Sequence, residues 1–153
     1  MRPLIDLAYR IQKQLWRLLR PRTRGVKVML FNGAGELLLI RNNYGGRDLF
    51  VLPGGGIRPW ERPEQAAIRE VSEELSCGIE PLQPVSTHFS GSEGKRDTIY
   101  LFRARLVGDP RPDHFEVAES HFFQLGALPH NVSPATRRRV EELRRVSVLT
   151  EAW

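Results

Sequence analysis

Acidic residues between positions 61 and 74 recur at spacings that gather their carboxylates. Glu70 and Glu74 are four residues apart, so in a helix they share one face, and Glu73 lies one turn from Glu70. Like charges at this spacing repel by about 0.2–0.5 kcal/mol per pair. A hard divalent cation relieves that repulsion, and Mg²⁺ binds through few carboxylates, water and substrate phosphates. The alternative interpretation is a solvated acidic face of the helix.

The segment before these glutamates contains a loop that is almost without side chains. Three glycines at positions 54–56 follow the apolar run 50–52 and Pro53. Glycine allows the backbone to approach a phosphate or a cation closely. Pro63 suits the first turn of a helix. Apolar residues then recur every four positions, at Ala67, Val71 and Leu75. The pattern predicts a strand, a glycine-rich loop and an amphipathic helix that carries the glutamates.

The spacing from Gly55 to Cys77 resembles the Nudix box, G-x5-E-x7-R-E-U-x-E-E-x-G-U, in which U is an apolar residue. Six of the seven fixed polar or glycine positions match, namely Gly55, Glu61, Arg69, Glu70, Glu73 and Glu74. Ser76 replaces the second glycine, which in the pattern ends the helix in a left-handed conformation. Gly78 is the alternative end of the helix. Trp60 also stands where many family members carry a small residue.

The resemblance implies a hydrolase that cuts a phosphoanhydride bond in a nucleoside diphosphate linked to another group. The substrates it implies are a nucleoside triphosphate, a nucleotide sugar or ADP-ribose, or a dinucleoside polyphosphate. It implies Mg²⁺ as the cofactor, with Mn²⁺ as a substitute. Transferred by position, the metal ligands are the carboxylates of Glu70, Glu74 and Glu73 and the carbonyl of Gly55.

The resemblance also implies catalytic roles outside the metal ligands. Arg69 and Glu61 are expected to form an ion pair that orients the other glutamates. The general base remains open, because family members use either a glutamate of the box or one from a late loop. Glu73 is the candidate within the box. Glu116 is the late candidate and Glu119 is its alternative.

Contacts to the substrate are weaker predictions. Arg41 and Arg58 are candidate phosphate contacts, although single exposed arginines usually serve solubility alone. Phe50 is a candidate for stacking on a nucleobase, although an aromatic residue on a strand is more often part of the core. The partner that the resemblance implies is a small nucleotide.

The order of elements predicts an α+β protein with a Nudix fold, a mixed sheet packed between helices as an α/β/α sandwich. A tight turn at 32–35 separates the first two strands. Ser133 and Pro134 suit the N-cap and first position of a closing helix. The predicted strands lie at 26–31, 36–41, 48–52, 85–89, 97–107 and 116–125, and the predicted helices at 63–75 and 134–146.

The net charge of +5 is distributed unevenly along the 153 residues. Residues 1–24 carry seven basic residues and one acidic residue, and residues 25–153 carry sixteen and seventeen. We predict a basic amphipathic helix at 3–20 with a linker to residue 24, followed by a hydrolase domain at 25–153. The helix packs on the body, packs on a second subunit in a homodimer, contacts a membrane surface through residues 1–20, or is a mobile arm. The neutral body does not favour a nucleic-acid partner.

The remaining composition indicates a cytoplasmic protein. Cys77 is the single cysteine, which excludes an internal disulfide, and its position on the apolar helix face predicts a buried thiol. The chain has no apolar run of 18 residues, and we expect its N-terminus not to be a signal peptide, because Arg10, Lys13 and Arg17 interrupt the apolar residues there. Two alternative functions stay open: a nucleotide-binding module with faded catalysis, and a hydrolase directed to membrane or RNA by residues 1–24.

Overall fold

The computed structural model describes residues 7, 8, 11, 22–44, 48–91 and 96–151, with side chains up to residue 146. The elements for which both bounds are described are, in chain order, β1 (Arg22–Phe31), β2 (Leu37–Asn42), β3 (Phe50–Val51), α1 (Pro63–Leu75), β4 (Gly78–Ser90), β5 (Arg96–Val107), β6 (Val117–Phe123) and α2 (Pro134–Glu151). Among the described residues, no helix is long and apolar enough to cross a membrane.

The strands form one mixed sheet in the order β3-β2-β1-β5-β4, and β6 also pairs with β2. β1 runs antiparallel to β2 but parallel to β5, with which it pairs from Arg22↔Arg96 to Phe31↔Arg105. β4 and β5 are antiparallel, as are β2 and β6. The predicted mixed sheet is confirmed.

Alternating side chains of the sheet build two separate cores. Val28 and Leu30 of β1 face the core that includes Val71 of α1. Met29 and Phe31 face the opposite core, which includes Val140 of α2. This alternation is the period of two expected for strands buried on both faces. The sheet therefore lies between α1 and α2, which confirms the predicted α/β/α arrangement.

Three boundaries differ clearly from those predicted from sequence, at the starts of β1 and β4 and at the end of α2, which lies at Glu151 rather than at residue 146. Residues 22–24, which we predicted as linker, are the start of β1, because they pair with residues 96–98 of β5. β4 begins at Gly78 rather than at residue 85. Its pairing with β5 shifts register after Glu80 and after Pro84, and these irregularities accommodate the prolines in an edge strand.

The predicted N-terminal helix lies mostly outside the described residues. Leu7, Ala8 and Ile11 are helical. Leu7 and Ile11, predicted on its apolar side, are 54 % and 53 % exposed. At the other end of the chain, Ser133 caps α2 as predicted, since its Oγ accepts the N–H of Thr136 at 3.2 Å.

Ser76 ends α1 in the left-handed conformation that the box assigns to glycine. Its φ and ψ are 53° and 35°, and its N–H donates to the carbonyl of Ser72 at 3.0 Å. The alternative end at Gly78 is wrong, because Gly78 already belongs to β4. Cys77 between them is buried, as predicted.

We expect Ser76→Gly to stabilise the fold, because glycine adopts positive φ without the steric cost that a Cβ imposes. The free energy of unfolding should rise by about 1 kcal/mol, measured by urea denaturation. Ser72→Gly is the matched control: this exposed residue is inside α1, where glycine should cost about 0.5–1 kcal/mol. A loss of stability in both variants would contradict the prediction.

Candidate active site

A glycine loop (residues 53–57) lies along β1 and is held there by its backbone. The N–H groups of Val26 and Val28 donate to the carbonyls of Gly55 and Pro53 at 2.9 and 3.0 Å. Gly54 has a φ of 136°, and a Cβ on it would lie 2.1 Å from the carbonyl oxygen of Val26. Only glycine fits at this position.

Two glutamates of α1 face this loop, one helical turn apart. A Cβ added to Gly55 would lie 2.5–2.7 Å from the carboxylate atoms of Glu70. The N–H of Gly54 donates to Oε2 of Glu74 at 2.9 Å. Because the loop lacks side chains here, both carboxylates approach its backbone directly. The structure thus places the predicted ligands Glu70 and Glu74 beside Gly55.

Arg69 connects the other box residues to this site. Its guanidinium donates to both oxygens of Glu61 at 2.7 and 2.8 Å, to Glu70 at 2.6 Å and to Glu73 at 3.1 Å. It also donates to the carbonyl of Gly56 at 2.9 Å. The hydrogen bond from Arg69 is the main reason that the pKa of Glu61 is lowered to about 2, and the same bond raises the pKa of Arg69. Glu61 therefore stays ionised and orients Arg69.

The late loop (residues 108–116) reaches the site from the other side. The N–H of Asp113 donates to the carbonyl of Glu74 at 3.1 Å, which ties this loop to the end of α1. Oδ1 of Asp113 accepts three backbone N–H groups, at 2.9–3.1 Å, from Phe115, Glu116 and Val117. Asp113 therefore shapes the turn that carries Glu116. A single acidic loop residue gave no signal of this role in the sequence.

Burial makes Glu74 difficult to ionise in the metal-free protein. Its pKa is raised to about 7, chiefly by desolvation and further by the charges of Glu70 and Glu116. The charge of Lys27 and the N–H of Gly54 act in the opposite direction. The carboxylates of α1 and the late loop thus repel one another within a partly desolvated space.

Burial and neighbouring negative charges also disfavour ionisation of Glu116. Its pKa is raised by burial first, and then by the negative charges of Asp113, Glu70 and Glu73. We call Glu70, Glu73, Glu74 and Glu116 the carboxylate cluster. It joins the predicted box glutamates to the predicted late glutamate.

Glu119, the alternative late glutamate, is engaged elsewhere. It accepts a hydrogen bond from Nε of Arg41 at 2.5 Å, and Arg41 also pairs with Asp48 at 2.7 Å. The hydrogen bonds from Arg41 and His121 lower the pKa of Glu119. A carboxylate that is already paired is a poorer proton acceptor, so the structure favours Glu116.

The structure also distinguishes between two of the predicted substrate contacts, Arg58 and Phe50. Arg58 is half-exposed, and its Nη2 lies 3.6 Å from Oε1 of Glu73, at the rim of the carboxylate cluster. Phe50 retains only 9 % of its surface and packs edge-to-face on Phe123 at 5.2 Å. That burial favours a core role for Phe50 over the predicted contact with a ligand.

Lys27 is a residue of the site that we did not predict. Its Nζ donates to the carbonyl of Leu52 at 2.9 Å and lies 3.5 Å from that of Gly54. One positive charge therefore supports the glycine loop and offsets part of the negative charge at Glu74. The available signal was a lysine inside an otherwise apolar strand.

The donors present suit a hard cation. They are carboxylate oxygens, together with the carbonyl of Gly55, whose second lone pair remains after the bond from Val26. Within the part of the chain that the structure describes, no three His, Cys, Asp or Glu side chains form a complete metal-binding group by themselves. Mg²⁺ does not require one, since it keeps several waters and uses one or two carboxylates plus substrate phosphates.

The chain belongs to the Nudix hydrolase family, because the model of the NUDIX domain matches residues 21–143. A solved structure of a MutT NUDIX hydrolase from Burkholderia pseudomallei has the same fold, with a TM-score of 0.71 and 25 % identity. That match covers 78 % of this chain and 96 % of the other.

Curated relatives carry names with different substrates. A Bacillus subtilis (strain 168) protein, provisionally named an 8-oxo-dGTP diphosphatase, is 26 % identical over 80 % of each chain. A Mycobacterium tuberculosis (strain CDC 1551 / Oshkosh) protein, provisionally named the mutator protein MutT4, is 33 % identical over 64 % of this chain. The NAD-capped RNA hydrolase NudC of Stutzerimonas stutzeri (strain A1501) is 30 % identical over 75 % of it. The matches span only 42 % of the lengths of the latter two relatives.

We expect Gly55→Ala to weaken binding of a divalent cation about tenfold or more, because the new methyl group displaces Glu70. The measurement is Mn²⁺ titration followed by electron paramagnetic resonance. Among the described residues, no atom lies within 4 Å of a Cβ added to Gly56, so Gly56→Ala is the matched control. Equal affinities in the two variants would show that the contact between Gly55 and Glu70 has no part in the cation site.

Stability of the metal-free protein should depend on the state of Glu74. Its pKa is raised from an ordinary 4.5 to about 7, so the folded state binds this proton more tightly than the unfolded state. The associated stabilisation is complete below pH 4.5 and is lost as the pH rises through 7. The loss is about 3 kcal/mol in free energy of unfolding.

Glu74→Gln should remove most of that dependence, measured by urea unfolding at pH 5 and pH 8 in EDTA. Glu64→Gln, at an exposed glutamate of the same helix, is the control and should retain it. An unchanged difference between the two pH values in Glu74→Gln would refute the assignment.

Proposed function

We propose that this protein is an Mg²⁺-dependent pyrophosphohydrolase that cuts a phosphoanhydride bond in a small nucleotide. The observation that carries the proposal is the carboxylate cluster itself. Glu70, Glu74 and Glu116 come from two separate elements, yet the charge of Glu70 disfavours ionisation of both Glu74 and Glu116, and the charge of Glu116 disfavours ionisation of Glu74. Repulsion of this kind is relieved when a cation and its phosphate ligands are bound.

Glu70 and Glu74 are the residues that would hold the cation, with Glu73 and the carbonyl of Gly55 as further ligands. When bound, Mg²⁺ supplies charge neutralisation for the polyphosphate and for the charge that develops during displacement. Arg69 keeps Glu70 and Glu73 oriented, since it donates to both. At Gly56 of the glycine loop, a Cβ would meet no described atom within 4 Å, so phosphate oxygens can approach the backbone there.

Glu116 acts as the general base in this proposal. Water attacks phosphorus and forms a new P–O bond, while the bond from phosphorus to the bridging oxygen breaks. The leaving phosphate departs with the electron pair of that bond, and the water proton passes to the carboxylate of Glu116. Its raised pKa makes it a stronger proton acceptor than an exposed glutamate. Glu73 is the alternative base, although two arginines already contact it.

The names of the relatives indicate which substrate classes to test first. The name of the Bacillus subtilis relative favours a nucleoside triphosphate, because that match covers 80 % of both chains. The name of NudC keeps a dinucleotide linkage as the second candidate. Nucleotide sugars and ADP-ribose remain in the panel to be tested. A homodimer, membrane contact through residues 1–20 and a cytoplasmic location stay predictions.

The test is hydrolysis of a nucleotide panel in Mg²⁺ or in EDTA, with the products resolved by chromatography. We expect cleavage of one class in Mg²⁺ only, and the product pair identifies the bond that is cut. Glu70→Gln and Glu74→Gln should each lower kcat by about 10²-fold or more with the fold intact. Near-wild-type rates in both variants would exclude the assigned cation site.

Glu116→Gln and Glu119→Gln form a matched pair for the base. Loss of the base costs about 10²–10⁴-fold in kcat, so only Glu116→Gln should show it. If Glu119→Gln is the slower variant, the assignment of the base is wrong. A folded protein that binds nucleotides and cleaves none of them would instead favour the binding module.

A further inference from the structure

Trp60 is a large apolar side chain that the fold leaves in solvent. Its exposed fraction is 81 %, whereas Leu52 at the end of β3 and Val71 on α1 retain 3 % and 0 %. Tryptophan offers a wide, rigid aromatic face and is enriched where proteins contact their ligands. An exposed tryptophan next to the candidate active site is therefore a candidate contact for a ligand.

The backbone that presents Trp60 is a tight turn. The N–H of Glu61 donates to the carbonyl of Arg58, and the N–H of Arg58 donates to Oε2 of Glu61, each at 3.1 Å. Pro59 restricts the backbone inside the turn. Nε of Arg69 donates a hydrogen bond to Oε1 of Glu61 at 2.7 Å, which fixes the end of the turn. The tryptophan thus extends from a backbone that has little freedom to lose when a ligand binds.

This turn adjoins the carboxylate cluster. Arg58 lies two residues before Trp60, and its Nη2 is 3.6 Å from Oε1 of Glu73. On the other side of the cluster, Phe115 immediately precedes Glu116 and is 61 % exposed. The turn at 58–61 and the late loop therefore each carry an exposed aromatic residue. Charged groups for phosphates and flat apolar groups for a ring lie next to each other.

We propose that Trp60 stacks on the nucleobase of a nucleotide whose phosphates lie at the carboxylate cluster; this inference rests on the proposed function. Stacking on an aromatic face tolerates every base, because each base has a π face. Trp60 therefore distinguishes nucleotides from polyphosphates without a base, and it favours the larger purines over pyrimidines. It is a specificity-determining residue and takes no part in bond cleavage.

The first test compares GTP and UTP with inorganic tripolyphosphate, which has the phosphoanhydride bonds but no base. Trp60→Ala should lower kcat/KM for GTP about tenfold, equivalent to about 1.4 kcal/mol, mostly through KM. The loss for UTP should be smaller, and hydrolysis of tripolyphosphate should change less than twofold. An equal loss on all three substrates would overturn the proposal and assign Trp60 a role in the turn itself.

Two further variants sharpen this comparison. Trp60→Phe keeps an aromatic face and should restore most of the GTP activity. Phe89→Ala is the matched control, because Phe89 is 84 % exposed but lies on the edge strand β4. If Phe89→Ala reproduces the loss seen in Trp60→Ala, or if Trp60→Phe is as poor as Trp60→Ala, base stacking at Trp60 is excluded.

Binding can be followed without turnover, which separates this proposal from the proposed function. The chain has three tryptophans, so replacing Trp16 and Trp153 by phenylalanine leaves the emission of Trp60 alone. In that background with Glu116→Gln, GTP in Mg²⁺ should quench the emission and tripolyphosphate should not. Quenching by GTP with no hydrolysis in the wild type would refute the hydrolase and keep the stacking site. Hydrolysis by the wild type with no quenching would support the hydrolase and refute stacking at Trp60.

Discussion

The site depends on the five hydrogen bonds of one guanidinium. Arg69 lies on α1 and is bonded to Glu61 before the helix, to Glu70 and Glu73 on the helix, and to the carbonyl of Gly56 in the glycine loop. A planar group with fixed donor directions can hold these partners at set angles, which a lysine cannot do. The loop and the helix are thereby locked to each other, and the carboxylates next to Arg69 are oriented as a group.

The carboxylate cluster opposes folding when its members are ionised. Glu74 and Glu116 both have raised pKa values because burial and neighbouring negative charges disfavour ionisation. Lys27 offsets part of this repulsion while it also holds the carbonyl of Leu52. In the proposed hydrolase, a bound cation would relieve the remaining repulsion, and the anionic polyphosphate would bind through that cation. The proposed affinity for a cation and the raised pKa values of Glu74 and Glu116 would therefore have the same origin.

The sequence was most informative where function restricts both residue type and spacing. The helix from Pro63 to Leu75 and the alternating strands followed from local patterns alone. The strand character of residues 22–24 did not, because it comes from pairing with β5, far along the chain. Lys27 was missed for a similar reason, because its partner is a backbone carbonyl of another segment. Asp113 was missed because the turn that its carboxylate shapes meets Glu74 only in the folded chain. For Phe50 the sequence left two interpretations open, stacking on a nucleobase or a place in the core, and the burial of its side chain favours the core.

The parallel pairing of β1 with β5 has a consequence for synthesis of the protein. The two strands are separated by 74 positions, as in the contact between Thr23 and Asp97. The glycine loop and α1 both lie within that span. The loop is thus hydrogen-bonded to β1, whose parallel neighbour β5 is synthesised later. Closing a span of this length costs about 4 kcal/mol of chain entropy before any pairing offsets it. At typical rates of translation, β1 leaves the ribosome about 4–15 s before β5 follows. During that interval β1 lacks β5, the strand that lies between β1 and β4 in the sheet. Pairing of strands so far apart in the sequence raises the contact order, and a high contact order slows folding.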